Sequence, residues 1–398
     1  MRLLPDSPSI DFLRREAKDL LAALREREPA TTLHEAQSRL AHSYGASSWA
    51  DLRREVDRRR ADLPVPPAGL ADSIVDAFGL GTPTGPMAAV GYQLMGRSWV
   101  LDTNGGRYVV QPVFDYVDEA QAARSVDLLE RARAAGVAAP RPVRDPDGRL
   151  VRRVHDTSWR IDEWLELGPT PVLPVRSAVA ARVGEILATV HGLAIPTDEH
   201  ITPYLSCRRA DGEWDVLIER ARAAGMSWAD DLAALVPTFV ALNAIDVDVT
   251  QRGDRIISLC DLSIGSTRYG RGDDVVVTHW AFAGPHVPEL ELGYVLLQWS
   301  VHGGGVNPLA ASALLDGYRS VAGDAPDVDL ETFAVGIGGY LKFTYNECSI
   351  AIDVAGTEKS AYAELAVREV LDDPLTVAKL EQLVGALSGP SCAGSRDR

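Results

Sequence analysis

The turn Asn104-Gly105-Gly106 limits the folds open to this chain more than any other feature. It separates two segments of alternating apolar and polar residues, 93–103 and 107–113, which is the pattern of a tight β-hairpin. A helix follows over about 118–135. Then come the turn Asp145-Pro146-Asp147-Gly148 and strands near 150–154 and 159–167. Strand, strand, helix, strand, strand builds a small α+β lobe. From about residue 175 the periodicity turns helical, with helices over roughly 175–194, 213–224, 228–243, 291–301, 308–321, 329–352 and 358–371. Only 255–284 interrupts it, with short strands and turns.

Ahead of these elements, residues 9–60 read as three amphipathic helices. The second opens at Thr32 with Glu35 three residues on, a capping-box spacing. This is a folding or docking module, and its helices offer a surface for a protein partner. The expected organisation is a helical module (1–60), a Pro-rich linker (61–69), a small α+β lobe (70–165), a large mainly helical lobe (166–388) and a disordered tail (389–398).

The formal net charge is −16. Residues 1–62 are nearly neutral, whereas the remainder carries 28 Lys/Arg against 45 Asp/Glu. So acidic a body repels phosphate backbones and anionic lipid, which argues against nucleic-acid and membrane partners. It favours neutral or cationic small molecules or peptides. The four cysteines are far apart and lack metal-ligand spacing. Pro5 and Asp6 stand where a signal peptide needs its apolar run, and no apolar stretch reaches the length of a membrane span. A cytoplasmic protein with reduced thiols is expected. Its four lysines are Lys18, Lys342, Lys359 and Lys379, so the small lobe has none.

Several segments, in order, resemble the aminoglycoside phosphotransferase and choline kinase-like family. They are GRYVV, RARAAGVAAPRPV, IDEWLEL, VGEILATVHGL, CDLSIGST, VVVTHWAFAG and ELELGYVLLQW. The resemblance covers about residues 70–350. The resemblance implies an α+β, two-lobed protein-kinase-like fold behind the helical module. It also implies a site that positions ATP, Mg²⁺ and an acceptor hydroxyl. In that family an Asp accepts the hydroxyl proton, an Asn and a second Asp hold the metal, and a small-lobe Lys pairs with the phosphates.

Against the family pattern His-Gly-Asp-Leu-x-x-x-Asn, this chain reads from Leu259 to Ser266. Asp261 keeps the base, Leu259 replaces the His, and Ser266 replaces the metal-binding Asn. The second Asp falls at His279 and the phosphate-pairing Lys at Gln111, with Arg97 or Arg107 as substitutes. Glu163, Trp164 and Leu165 match the hinge that lines the nucleotide. Tyr345, Asn346 and Glu347 match the acceptor pocket, with Tyr340 read as core. Glu291 matches a brace for the catalytic loop, and His191 matches a structural position. A second register, with Asp246 and Asp248 in the catalytic loop and Asp261 on the metal, leaves IDVDVTQ without a preceding strand.

By this reading ATP and Mg²⁺ are possible cofactors of a site that has lost most of their ligands. No residue is assigned to a metal, and ordinary kinase activity is not expected. Asp261 is expected to face His279, a carboxylate beside an imidazole that favours imidazolium and makes an acid–base pair. Cys260 packs as core. The implied function is lyase, cyclase or isomerase chemistry, or substrate or peptide binding, in specialised metabolism. Phosphotransferase-like subunits of class V lanthipeptide synthetases provide the analogy. An active hydroxyl kinase and a non-catalytic scaffold are the alternatives.

Overall fold

The computed structural model describes residues 4, 9–61, 64–93, 96–113, 117–201, 211–247, 252–271 and 274–388. Cys207, Asp248, Cys392 and the tail at 389–398 lie outside the described residues.

Three helices open the chain: α1 (Ile10–Arg27), α2 (Leu33–Ser43) and α3 (Trp49–Ala61). Ser9 caps α1 by accepting from the Phe12 amide. The capping box at Thr32 and Glu35 forms in both directions. The apolar faces of α1 and α2 bury Leu20, Leu24, Ala36 and Leu40, and Val172 of the inter-lobe segment packs with them. Helix α6 (Ser177–Gly192) has no side-chain cap of its own, because Arg176 occupies its N-cap position. Glu26 of α1 supplies one, accepting from the Ser177 amide at 2.9 Å and hydroxyl at 2.6 Å. A carboxylate there satisfies an orphan donor and complements the helix dipole.

The small lobe is a six-stranded antiparallel sheet. Its strands are β1 (Ala88–Gln93), β2 (Gly96–Thr103), β3 (Gly106–Pro112), β4 (Pro142–Val143), β5 (Arg152–Val154) and β6 (Thr157–Glu163). Their order is β1-β2-β3-β6-β4, with β5 also paired to β6. The Asn104-Gly105 turn closes the β2–β3 hairpin at the Thr103–Gly106 pair, as its residues dictate. Strand β1 carries no clean alternation, because its register shifts between Ala89 and Gly91. It was not legible in the sequence for that reason. Helix α4 (Leu70–Phe78) covers one face of the sheet, packing Leu70, Ile74 and Phe78 onto Trp99, Leu101, Val110, Trp159 and Ile161. Because side chains alternate along strands, Gln111, Arg160 and Asp162 share the opposite face. Helix α5 (Glu119–Ala134) follows β3.

Among the described residues the large lobe contains α6 and seven further α-helices. They are α7 (Asp211–Ala223), α8 (Ala229–Asn243), α9 (Pro288–Ser300), α10 (Pro308–Ala322), α11 (Ala334–Asp353), α12 (Glu358–Asp372) and α13 (Val377–Leu387). Helix α13, capped by Thr376, was not anticipated. Between α8 and α9 the described residues form four short strands: β7 (Ile256–Ser258), β8 (Thr267–Tyr269), β9 (Val275–Val277) and β10 (Gly284–His286). Strands β7 and β10 pair, as do β8 and β9. One continuous apolar core joins α6 to α13, with Trp214, Trp280 and Trp299 fully buried in it.

Candidate functional site

Asp261 sits three residues past β7. Asp246, by contrast, follows helix α8 rather than a strand. The register that starts at Asp261 therefore has the strand it needs, and the one built on Asp246 does not. Cys260 lies two residues past the end of β7. Its φ is +59°, a left-handed conformation that a residue with a Cβ rarely takes. The resembling family has glycine at this position, and the backbone conformation explains why. Surroundings must over-determine such a residue. Here Glu291 accepts from the Cys260 amide at 2.7 Å, and the thiol lies 3.4 Å from the Gly284 carbonyl. Burial drives that thiol well above its ordinary pKa, and the nearby Glu291 carboxylate adds to the shift. Cys260 is an inert core residue that orients its neighbour.

Glu291 is fully buried and also pairs with His191 at 3.0 Å. His191 bonds in turn to the Tyr318 hydroxyl at 2.9 Å. Burial alone would raise the Glu291 carboxyl. The His191 hydrogen bond and the fields of His286 and His191 outweigh it and hold the group at about 2.

The Tyr294 hydroxyl of α9 donates to Asp261 at 3.0 Å. His279 lies two residues past β9, within reach of the Asp261 charge. The Ser266 carbonyl accepts from the Thr278 and His279 amides at 2.9 and 3.3 Å. Ser266 itself is buried, and its hydroxyl donates to the Ser263 carbonyl at 2.9 Å, so it closes a turn. The His279 ring lies 5.4 Å from that of Phe282.

His279 feels two opposing charges, Asp261 on one side and Arg160 on the other. Burial is the largest influence, and with Arg160 it outweighs Asp261 and lowers the imidazole below its ordinary value. This runs against the expectation of an imidazolium: at neutral pH the ring is uncharged. The desolvation cost of a buried cation exceeds the attraction of one carboxylate.

On the small-lobe face above, Gln111 donates to Asp162 at 2.8 Å and Arg160 pairs with the same carboxylate at 2.9 Å. Arg160 and Asp162 are 6% and 1% exposed. Burial raises the Asp162 carboxyl. Two buried polar atoms of this pair, Arg160 Nε and Asp162 Oδ1, have no hydrogen-bond partner. Arg160 is the residue that sequence reasoning missed. The signal was present in Trp159-Arg160-Ile161-Asp162, where two charges share one face of a strand. Arg107 stacks its guanidinium 4.5 Å over Trp164 and pairs with Asp102 at 3.3 Å.

At the hinge, the Glu163 amide donates to the Arg141 carbonyl and the Trp164 amide to that of Arg107. Leu165 is exposed on the surface. Tyr345, Asn346 and Glu347 lie on α11, away from the Asp261 loop in sequence. Tyr345 packs edge-on against Trp214 at 5.6 Å, and Asn346 is half-buried. Tyr340 is core, with its hydroxyl accepting from the Leu375 amide at 3.2 Å. Glu347 is 2% exposed, its Oε2 has no partner, and burial lifts its carboxyl to about 7. A raised carboxyl pKa costs stability as pH climbs from 4.5 towards 7. Glu347→Gln should therefore be more stable than the native protein at pH 8, by about 1–3 kcal/mol, and no more stable at pH 4. Urea unfolding at the two pH values checks this.

Among the described residues, no three His, Cys, Asp or Glu side chains gather into a metal-holding group. No helix among them is long and apolar enough to cross a membrane.

The phosphotransferase enzyme family matches residues 96–326, more than half of the chain, and the protein belongs to that family. No curated protein sequence is similar to it. Among solved structures, an aminoglycoside phosphotransferase from Alicyclobacillus acidocaldarius is similar at 16% identity and TM-score 0.52, covering 82% of this chain and 97% of its own. A spectinomycin phosphotransferase, solved with ADP and spectinomycin, is similar at 12% identity and TM-score 0.55, covering 80% and 99%. An amicoumacin kinase, solved with AMP-PNP and Ca²⁺, is similar at 12% identity and TM-score 0.52, covering 78% and 96%. At these identities the likeness establishes the two-lobed fold.

Proposed function

We propose that the cleft performs proton-transfer chemistry on a neutral or cationic small molecule or peptide, without a magnesium-bound nucleotide. The observation that carries this reading is the charge balance where a triphosphate would lie. Arg160 and Gln111 are both spent on Asp162, and a neutral imidazole stands beside Asp261 where a second carboxylate would hold metal. The side chains present do not fit Mg²⁺ and ATP. Three missing charge-assisted contacts, at about 1.5–3 kcal/mol each, weaken MgATP binding at least about a thousandfold.

Asp261 and neutral His279 enter the reaction as a base. The imidazole takes one proton from a substrate O–H or C–H, and the carboxylate stabilises the imidazolium formed. Returning that proton to another atom of the same substrate gives an isomerisation, elimination or ring closure. Peptide natural-product modification in the cytoplasm is one setting for such chemistry. Glu347, Asn346 and Tyr345 are the residues we assign to the substrate side.

ATP-dependent transfer to a hydroxyl is the second reading. Family membership and the retained Asp261 favour it, and Glu163, Trp164 and Leu165 would then line the nucleotide. Ser266 would serve it as a weak ligand.

The acid–base reading is tested by following the His279 ring signal against pH by NMR, in the native protein and in Asp261→Asn. A native ring that stays neutral down to pH 5, with a still lower midpoint in the variant, supports the pair. An Asp261→Asn midpoint equal to the native one overturns it.

A further inference from the structure

Residues 164–176 join the two lobes and include Pro169, Pro171 and Pro174. Proline fixes φ, so this strap is stiff, and a displacement at one end is felt at the other. Its first half lies along β8 of the large lobe. The Gly168 amide donates to the Tyr269 carbonyl at 2.8 Å, and the Tyr269 amide donates to the Pro169 carbonyl at 2.9 Å. The approach is so close that a Cβ on Gly168 would stand 2.9 Å from that of Tyr269. Tyr269 ends β8, and its hairpin partner β9 ends two residues before His279.

The second half of the strap is held by the N-terminal helices. Val172 is buried among Leu20, Leu24 and Leu40 of α1 and α2. Five residues on, Glu26 of α1 accepts from both the amide and the hydroxyl of Ser177 and so caps α6. Arg182 of α6 in turn donates from Nε to Asp274, the residue before β9, at 3.0 Å. The module thus has two holds, on Val172 and on Ser177. Both lead to the β8–β9 hairpin, one along the strap and the other along α6.

We propose that the N-terminal module is a brace for the cleft. By gripping the strap and capping α6, it fixes the hairpin that leads into the His279 segment. The module is then a working part of the site rather than a tethered docking unit, and the brace serves either chemistry of the cleft.

Amide hydrogen exchange in the full-length native protein and in Glu26→Ala tests this. Glu26 is exposed, so its replacement opens no core. Losing a cap of this kind weakens what it holds about fivefold. The Gly168 and Tyr269 amides should therefore exchange about fivefold faster in the variant, together with the first turn of α6. Faster exchange confined to that first turn overturns the brace, because a plain helix cap acts no further. A second measurement leaves the module's own residues native. A protease site is inserted at Val65, which is 84% exposed in the linker, and the cut chain is run on a size-exclusion column. Module and body should elute together. A module released by the cut overturns the proposal.

Discussion

Gly317→Ala is expected to lose more than about 3 kcal/mol of stability, one of the largest losses any single methyl group can cause here. Helices α6 and α10 cross at two glycine notches. A Cβ at Gly317 would lie 2.0 Å from the Ala181 carbonyl oxygen, and one at Gly184 would lie 1.9 Å from that of Leu314. Both obstacles are backbone atoms inside helices, so no side chain can swing aside. The helices must separate, and the core that joins α6 to α13 must open with them. Gly385→Ala on α13 makes the contrast. Nothing lies within 4 Å of its Cβ, so it should gain up to about 1 kcal/mol from helix propensity. Denaturant unfolding of the two variants gives opposite signs on this account.

Glu291→Gln should be almost as costly, at about 3–5 kcal/mol, because it puts a neutral amide where a buried carboxylate accepts two charge-assisted hydrogen bonds. The carboxylate ties His191 of α6 to the Cys260 amide and so holds the left-handed turn that aims Asp261. The sign with pH follows from its lowered pKa. Its contribution is fully present above 4.5 and is lost as pH falls through about 2. The Gln variant should therefore lose its disadvantage in acid, which a denaturation series from pH 7 to pH 2 measures. An unfolding free energy equal to that of the native protein at pH 7 would contradict the brace.

Much of this was legible in residues. The Asn104-Gly105-Gly106 turn, the Thr32–Glu35 cap and the strand before Asp261 each follow from local chemistry that the sequence states outright. The ordered resemblance then supplied the two-lobed arrangement. Other features depended on contacts far apart in the chain. The cap on α6 comes from Glu26, 151 residues earlier. The state of His279 depends on burial and on Arg160, which lies in the other lobe. A carboxylate beside an imidazole suggests a cation until the desolvation of the pocket is known. Strand β1 and helix α13 were missed for simpler reasons, an irregular register and a short helix after a proline-containing loop.

Nucleotide binding separates the two chemistries most directly, and a thermal-shift titration of the full-length protein with MgATP measures it. A nucleotide at 100 times its dissociation constant would add about 2.7 kcal/mol of stability. We expect no shift at millimolar MgATP. A clear saturable rise in melting temperature, lost in Asp261→Asn, would contradict the proposed chemistry and return the cleft to phosphoryl transfer.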